Sequence, residues 1–121
     1  MQKPNISSAI PKQRYRLGAY TIIVLGEIES EDQVEYEYLL AAVQDGHSEP
    51  EIYITCERFM DRQEGVQHAV RVFATQLGPE ESGKIIDQSS KWASQDAFVA
   101  FALLGFQQML QLHDEQPVPV T

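Results

Sequence analysis

The sequence predicts an α+β domain: a three-stranded antiparallel β-meander followed by two or three α-helices packed on one face. Three observations point there. Apolar and polar residues alternate between Tyr20 and Glu57, the apolar spacing turns helical after Phe59, and the connections between the alternating runs are short and polar. Short links between successive strands imply antiparallel pairing.

In the first strand Tyr20, Ile22, Val24 and Ile28 share one face, and Thr21, Glu27 and Glu29 the other. Glu31-Asp32-Gln33 forms a polar loop. Val34 to Val43 alternates again, with Val34, Tyr36, Tyr38, Leu40 and Ala42 on one side. Gln44 to Pro50 is a turn, with Gly46 and Pro50 as breakers. The third strand, Glu51 to Glu57, sets Ile52, Ile54 and Cys56 opposite Tyr53 and Thr55. Beyond it, Asp61 and Glu64 have capping-box spacing, and Val66, Ala69, Val70, Phe73 and Leu77 follow a core-facing helical stripe that Gly78-Pro79 ends. A short helix is expected between Pro79 and Ser89, with Ile85, Ile86 and Trp92 as its apolar contacts. Ser94 suits the N-cap of a last helix over residues 95–113, apolar nearly all round through Ala97, Phe98, Val99, Phe101, Leu103, Leu104 and Phe106.

The chain of 121 residues is long enough for one self-standing core. Residues 1–12 read as a flexible basic N-terminal tail, 13–114 as a single α+β domain and 115–121 as a flexible, proline-bearing C-terminal tail. Residues 1–18 carry Lys3, Lys12, Arg14 and Arg16 and no acid. Residues 27–64 hold 12 acids against Arg58 and Arg62. The net charge of -9 disfavours nucleic-acid binding, because phosphates would be repelled. The N-terminus lacks the apolar run of a signal peptide, so the Asn5-Ile6-Ser7 acceptor pattern carries no weight. The longest apolar stretch, Ala97 to Phe106, is about half the roughly 20 residues a membrane span needs. With one cysteine, Cys56, no internal disulfide and no two-thiolate zinc site can form. A cytoplasmic protein is the expectation, without cofactor, nucleic-acid or membrane partner.

Aligning the apolar faces pairs Val24 with Leu40 and Ile28 with Tyr36, which sets Glu27 opposite Glu37 and Glu29 opposite Glu35. Like charges directly opposed are unfavourable. A further register brings Glu57 beside Glu37, giving a row of Glu27, Glu37 and Glu57. The same face carries Ile23, Leu25, Leu39, Ala41, Val43 and Tyr53 toward its other end. Half apolar and half acidic, it is a candidate contact surface, with Ile23, Leu25, Glu27, Glu37, Leu39 and Tyr53 as partner-binding residues. Its glutamates could serve as a solvated face that blocks aggregation. They could also be neutralised by Arg14, Arg16 or a partner's arginines, or hold a hard cation.

Catalytic signals are weak. Cys56 reads as a buried structural thiol, and His47, His68 and His113 are scattered, with His68 flanking the expected helix stripe. Gly83-Lys84 lacks the remainder of a phosphate-binding loop. The reading is therefore a small acidic non-enzymatic protein-interaction module, a homodimeric adaptor or chaperone-like protein with Leu103, Phe106 and Leu110 as dimer-interface candidates and a client bearing a basic segment. The alternative is a small ligand-binding domain or enzyme with a pocket between sheet and last helix, built from Glu37, Tyr38, Cys56 and His68.

Overall fold

The computed structural model describes residues 3–78 and 80–120. Seven strands form one antiparallel sheet: β1 Ile6–Leu17, β2 Tyr20–Ser30, β3 Tyr36–Gln44, β4 Ile52–Asp61, β5 Gly65–Ala74, β6 Ile85–Gln88 and β7 Val118–Val120. The order across the sheet is β6-β5-β4-β3-β2-β1-β7. A 3-10 turn, Ser90–Ala93, leads into the single α-helix, α1 Gln95–Met109. The α+β class holds, but the three-stranded meander with two or three helices is corrected to seven strands and one helix.

Four segments account for the difference. The expected basic tail is strand β1 from Ile6 onward, with Tyr15 opposite Ile22 and Leu17 opposite Tyr20. Pro11 is tolerated there because it lies beside a register shift and beyond the reach of β7, which pairs only with Arg14–Arg16. The expected C-terminal tail supplies β7, a proline-bearing strand at the sheet edge. The expected helix after Asp61 is β5. The Asp61 carboxylate accepts from Gln63 N at 2.8 Å and Glu64 N at 2.9 Å, tightening a hairpin turn rather than capping a helix. Gly65, at φ +80°, closes that turn. Val66, His68, Val70, Val72 and Ala74 then alternate along one strand face. The expected short helix is replaced by β6 and the 3-10 turn, and Pro79 lies outside the described residues.

The main core lies between the sheet and α1. Val24, Leu40, Ile54 and Val72 form one cross-strand row, and Ile22, Ala42, Ile52 and Ala74 the next. Phe98, Ala102 and Phe106 of α1 close over them. Ser94 caps the helix by accepting from Ala97 N at 3.3 Å. Phe106 is fully buried in this core and cannot serve as a dimer contact; Leu103 and Leu110 are half-buried against it, while Leu104 is exposed.

The opposite sheet face is partly sealed by the N-terminal segment. Pro4 is buried, and Lys3–Ile6 line a groove of about 430 Å³ with Ile23, Leu25, Leu39, Ala41, Pro50 and Tyr53. Leu39, which lines this groove, is therefore buried although it lies outside the core under α1. No helix among the described residues is long and apolar enough to cross a membrane.

Candidate functional site: a splayed, acidic strand pair

Strands β2 and β3 pair from Tyr20–Gln44 to Leu25–Leu39, in the register that apolar alignment predicts, and pairing stops there. Beyond that point β2 registers only with β1, at Gly26, Glu29 and Ser30 with shifts between them, and Tyr36 and Tyr38 register only with β4. Continuing the register would set Glu27 against Glu37 and Glu29 against Glu35. Instead Glu27 adopts φ +46°, and the β3–β4 ladder shifts register between Tyr36 and Tyr38, where Glu37 sits. The strands part at the residues whose charges would otherwise face one another.

Two open grooves of about 530 and 560 Å³ flank the parting and share Ile28, Glu29, Tyr36 and Glu37. Toward one end, Lys12 pairs with Glu27. A Cβ on Gly26 would stand 2.9 Å from Lys12 Cε, so the lysine stem packs across β2 where the glycine leaves room for it. Toward the other end, Arg58 pairs with Glu35 at 3.5 Å. Glu29, Glu31 and Glu37 have no ion pair among the described residues.

The loop that joins the parted strands is firmly built. Asp32 accepts from Tyr36 OH at 2.8 Å, Asn5 N at 3.1 Å and Val34 N at 3.2 Å. Burial works against its ionised form, yet these hydrogen bonds hold its carboxyl below the usual range. Burial, with the Asp32 contact second, pushes the Tyr36 hydroxyl well above its usual pKa. The cleft thus has a rigid closed end and an apolar floor of Ile28 and Tyr36.

The expected residues fall into three groups. Glu27 and Glu37 belong to the cleft. Ile23, Leu25, Leu39 and Tyr53 lie together on the second sheet face, against the N-terminal segment. The expected row through Glu57 is not assembled: that carboxylate is mostly buried, accepts from Thr55 Oγ1 at 3.1 Å and pairs with Arg71 at 3.0 Å. The Arg71 guanidinium also donates to the Gly83 carbonyl at 2.7 Å. Of the basic residues near the N-terminus, Arg16 meets Asp45, with Nη1–Oδ1 at 2.7 Å, and holds that carboxyl low. No three His, Cys, Asp or Glu side chains among the described residues come together in a way that could hold a metal ion.

Tyr38 stands opposite Cys56 across β3 and β4, but the polar atoms of both secure the 3-10 turn. Tyr38 OH donates to the Ala93 carbonyl at 3.4 Å and Cys56 Sγ to the Trp92 carbonyl at 3.3 Å. Trp92 Nε1 donates to Asp87 at 2.7 Å, and Ser89 N to the His68 carbonyl at 3.0 Å. Burial, reinforced by Glu37 and then Glu57, pushes the Cys56 thiol up to about 12, the opposite of an activated nucleophile. His68 is buried on β5 rather than flanking a helix, and neither ring nitrogen has a hydrogen-bond partner among the described residues. Comparison with protein-family models, curated proteins and solved structures finds no match.

The parting itself was missed by sequence reasoning, although its signal was present. The register that opposed two glutamate pairs also marked where the ladder would fail.

Proposed function

We propose that this protein is a non-enzymatic interaction module whose cleft between β2 and β3 receives a basic segment of a partner protein. The observation that carries this reading is the unpaired acidic opening at Glu29 and Glu37 over the apolar floor of Ile28 and Tyr36. Carboxylates on the walls favour arginine or lysine, and the floor offers apolar contact between them. The space beneath α1, where a catalytic pocket was the alternative, is filled by Phe98, Phe106, Ile54 and Leu40.

The test is binding of a fluorescent acetyl-Val-Arg-Val-Arg-Val-Arg-amide peptide at rising ionic strength, with Glu29→Lys/Glu37→Lys as the charge-reversed comparison. Affinity should fall steeply with salt and by about tenfold or more in the double variant. Equal affinity for both proteins would refute the cleft as the site. Self-association is a second part of the proposal, supported by the one-sided edge strand β6 with Ile85 and Ile86 exposed. Light scattering that gives a monomer mass at high concentration would remove it.

A further inference from the structure

We infer that a cavity on the second sheet face, over β4, β5 and β6, binds a small amphipathic carboxylate, with its charge at Arg71 and its apolar body against the surrounding side chains. It adjoins the parting of β2 and β3 across Arg58 but takes a ligand of opposite charge. Along β4 and β5, Glu57, Ala69 and Arg71 alternate with the core residues Cys56, Val70 and Val72, and the ladder between the two strands has no register shift. They therefore fall on the face away from the main core. There a cavity of about 630 Å³ is lined by Val34, Phe59, Met60, Val66, Ala69 and Ile85. Small-molecule sites measure about 300–1,000 Å³ and join apolar walls to a few placed polar groups. Met60, Val66 and Ile85 are all exposed, so three large apolar side chains meet solvent around this one opening.

Donors and acceptors set the polarity of the ligand. Arg71 is fixed in place: Nε lies 3.1 and 3.0 Å from the two Glu57 oxygens, and Nη1 donates to the Gly83 carbonyl at 2.7 Å. Nη2 has no acceptor among the described residues, and the side chain is one-third exposed. The acids of the cavity are engaged. Glu57 accepts from Arg71 and from Thr55 Oγ1, and Glu35 pairs with Arg58. Arg71 also lines a smaller cavity of about 330 Å³ with Lys3 and Asp32. The Asp32 carboxylate is likewise taken up, by Tyr36, Asn5 and Val34. The unmet capacity is therefore a donor: a guanidinium edge, held still beside an apolar wall. A carboxylate meets it with a charge-assisted hydrogen bond.

The experiment titrates the full chain with naphthaleneacetate and with decanoate, read by calorimetry and by backbone amide shifts in nuclear magnetic resonance. Naphthaleneacetamide is the uncharged counterpart. Both acids should bind and shift Val66, Ala69, Arg71 and Ile85. The amide should bind about tenfold more weakly or worse, the loss expected for one charge-assisted bond. Met60→Asp/Ile85→Asp replaces exposed wall residues outside the buried core and should weaken both acids by a similar factor. Arg71→Lys keeps a cation but loses the fixed Nη2 edge, and should weaken the acids while leaving the amide unchanged. Equal affinity of naphthaleneacetate and its amide, wild-type affinity in the wall variant, or shifts centred elsewhere in the chain overturns the inference. Absence of binding by both acids at millimolar concentration does the same.

Discussion

The two halves of the β2–β3 pair obey one register and end differently. From Tyr20 to Leu25 the facing residues include Ile22 with Ala42, Val24 with Leu40 and Leu25 with Leu39, and the ladder is complete. From Gly26 onward the same register would oppose two pairs of glutamates, and the strands part. Cross-strand pairs are each worth only about 0.2–1 kcal/mol, so a few of one sign decide whether a ladder continues. The closed half serves the core under α1. The open half leaves Glu29 and Glu37 without an ion pair among the described residues.

Substitutions in the two halves should therefore differ in size and in sign. The largest effect belongs to the closed half: Phe106→Ala, which empties the fully buried centre of the α1–sheet contact, should cost about 3–5 kcal/mol in urea unfolding. A loss below 1 kcal/mol would mean that α1 is not the lid of the main core.

Cys56 lies on the border between the halves, opposite Tyr38. Cys56→Ala should cost on the order of 1 kcal/mol at neutral pH, through lost packing and the lost bond to the Trp92 carbonyl. Its folded thiol pKa is raised from 9.0 to about 12, so the unfolded chain ionises first as pH rises. The associated stability is present below about 9 and lost between there and about 12. Melting curves across that range should show a shallower alkaline decline for Cys56→Ala than for the wild type. Parallel declines would place the thiol in water.

At the open end, Asp32 holds the loop between the parted strands. Its pKa is lowered in the fold, so its contribution is present above the ordinary carboxylate pKa and lost as pH falls through the lowered folded value. Asp32→Asn should cost about 1 kcal/mol at neutral pH, since the site is solvent-accessible, and should flatten the acid limb of stability. An unchanged acid limb would show that the hydrogen bonds from Tyr36, Asn5 and Val34 do not favour the carboxylate. The smallest change has the opposite sign. Glu37→Gln removes a carboxylate that has no ion pair among the described residues from an acidic strand end and should raise stability by a few tenths of a kcal/mol up to about 1, while weakening the arginine peptide. A destabilised Glu37→Gln would mean that Glu37 already holds a cation of its own.

Sequence pattern revealed the central strands because Ile22, Val24, Leu40, Ile52 and Ile54 alternate with polar or opposite-face residues. The last helix was equally plain from the Ser94 cap and the apolar run behind it. β5 was hidden because Val66, Val70 and Phe73 also fit a helical stripe, while His68 and Ala74 weaken the visible two-residue period. β1 was masked by Lys12, Arg14, Arg16 and Pro11, which make an internal strand look like a solvated arm. In the cleft the opposed glutamates were legible by arithmetic alone. Their consequence was not, because it depends on the backbone turn at Glu27 and the register shift beside Glu37, which no side-chain period encodes.

The most direct test of the parting is the set of cross-strand proton contacts in the free protein by nuclear magnetic resonance. Backbone contacts between β2 and β3 should be present through Val24–Leu40 and Leu25–Leu39 and absent between Ile28 and Tyr36. An Ile28–Tyr36 backbone contact as strong as those in the closed half would show one uninterrupted ladder, and would contradict both the cleft and the function built on it.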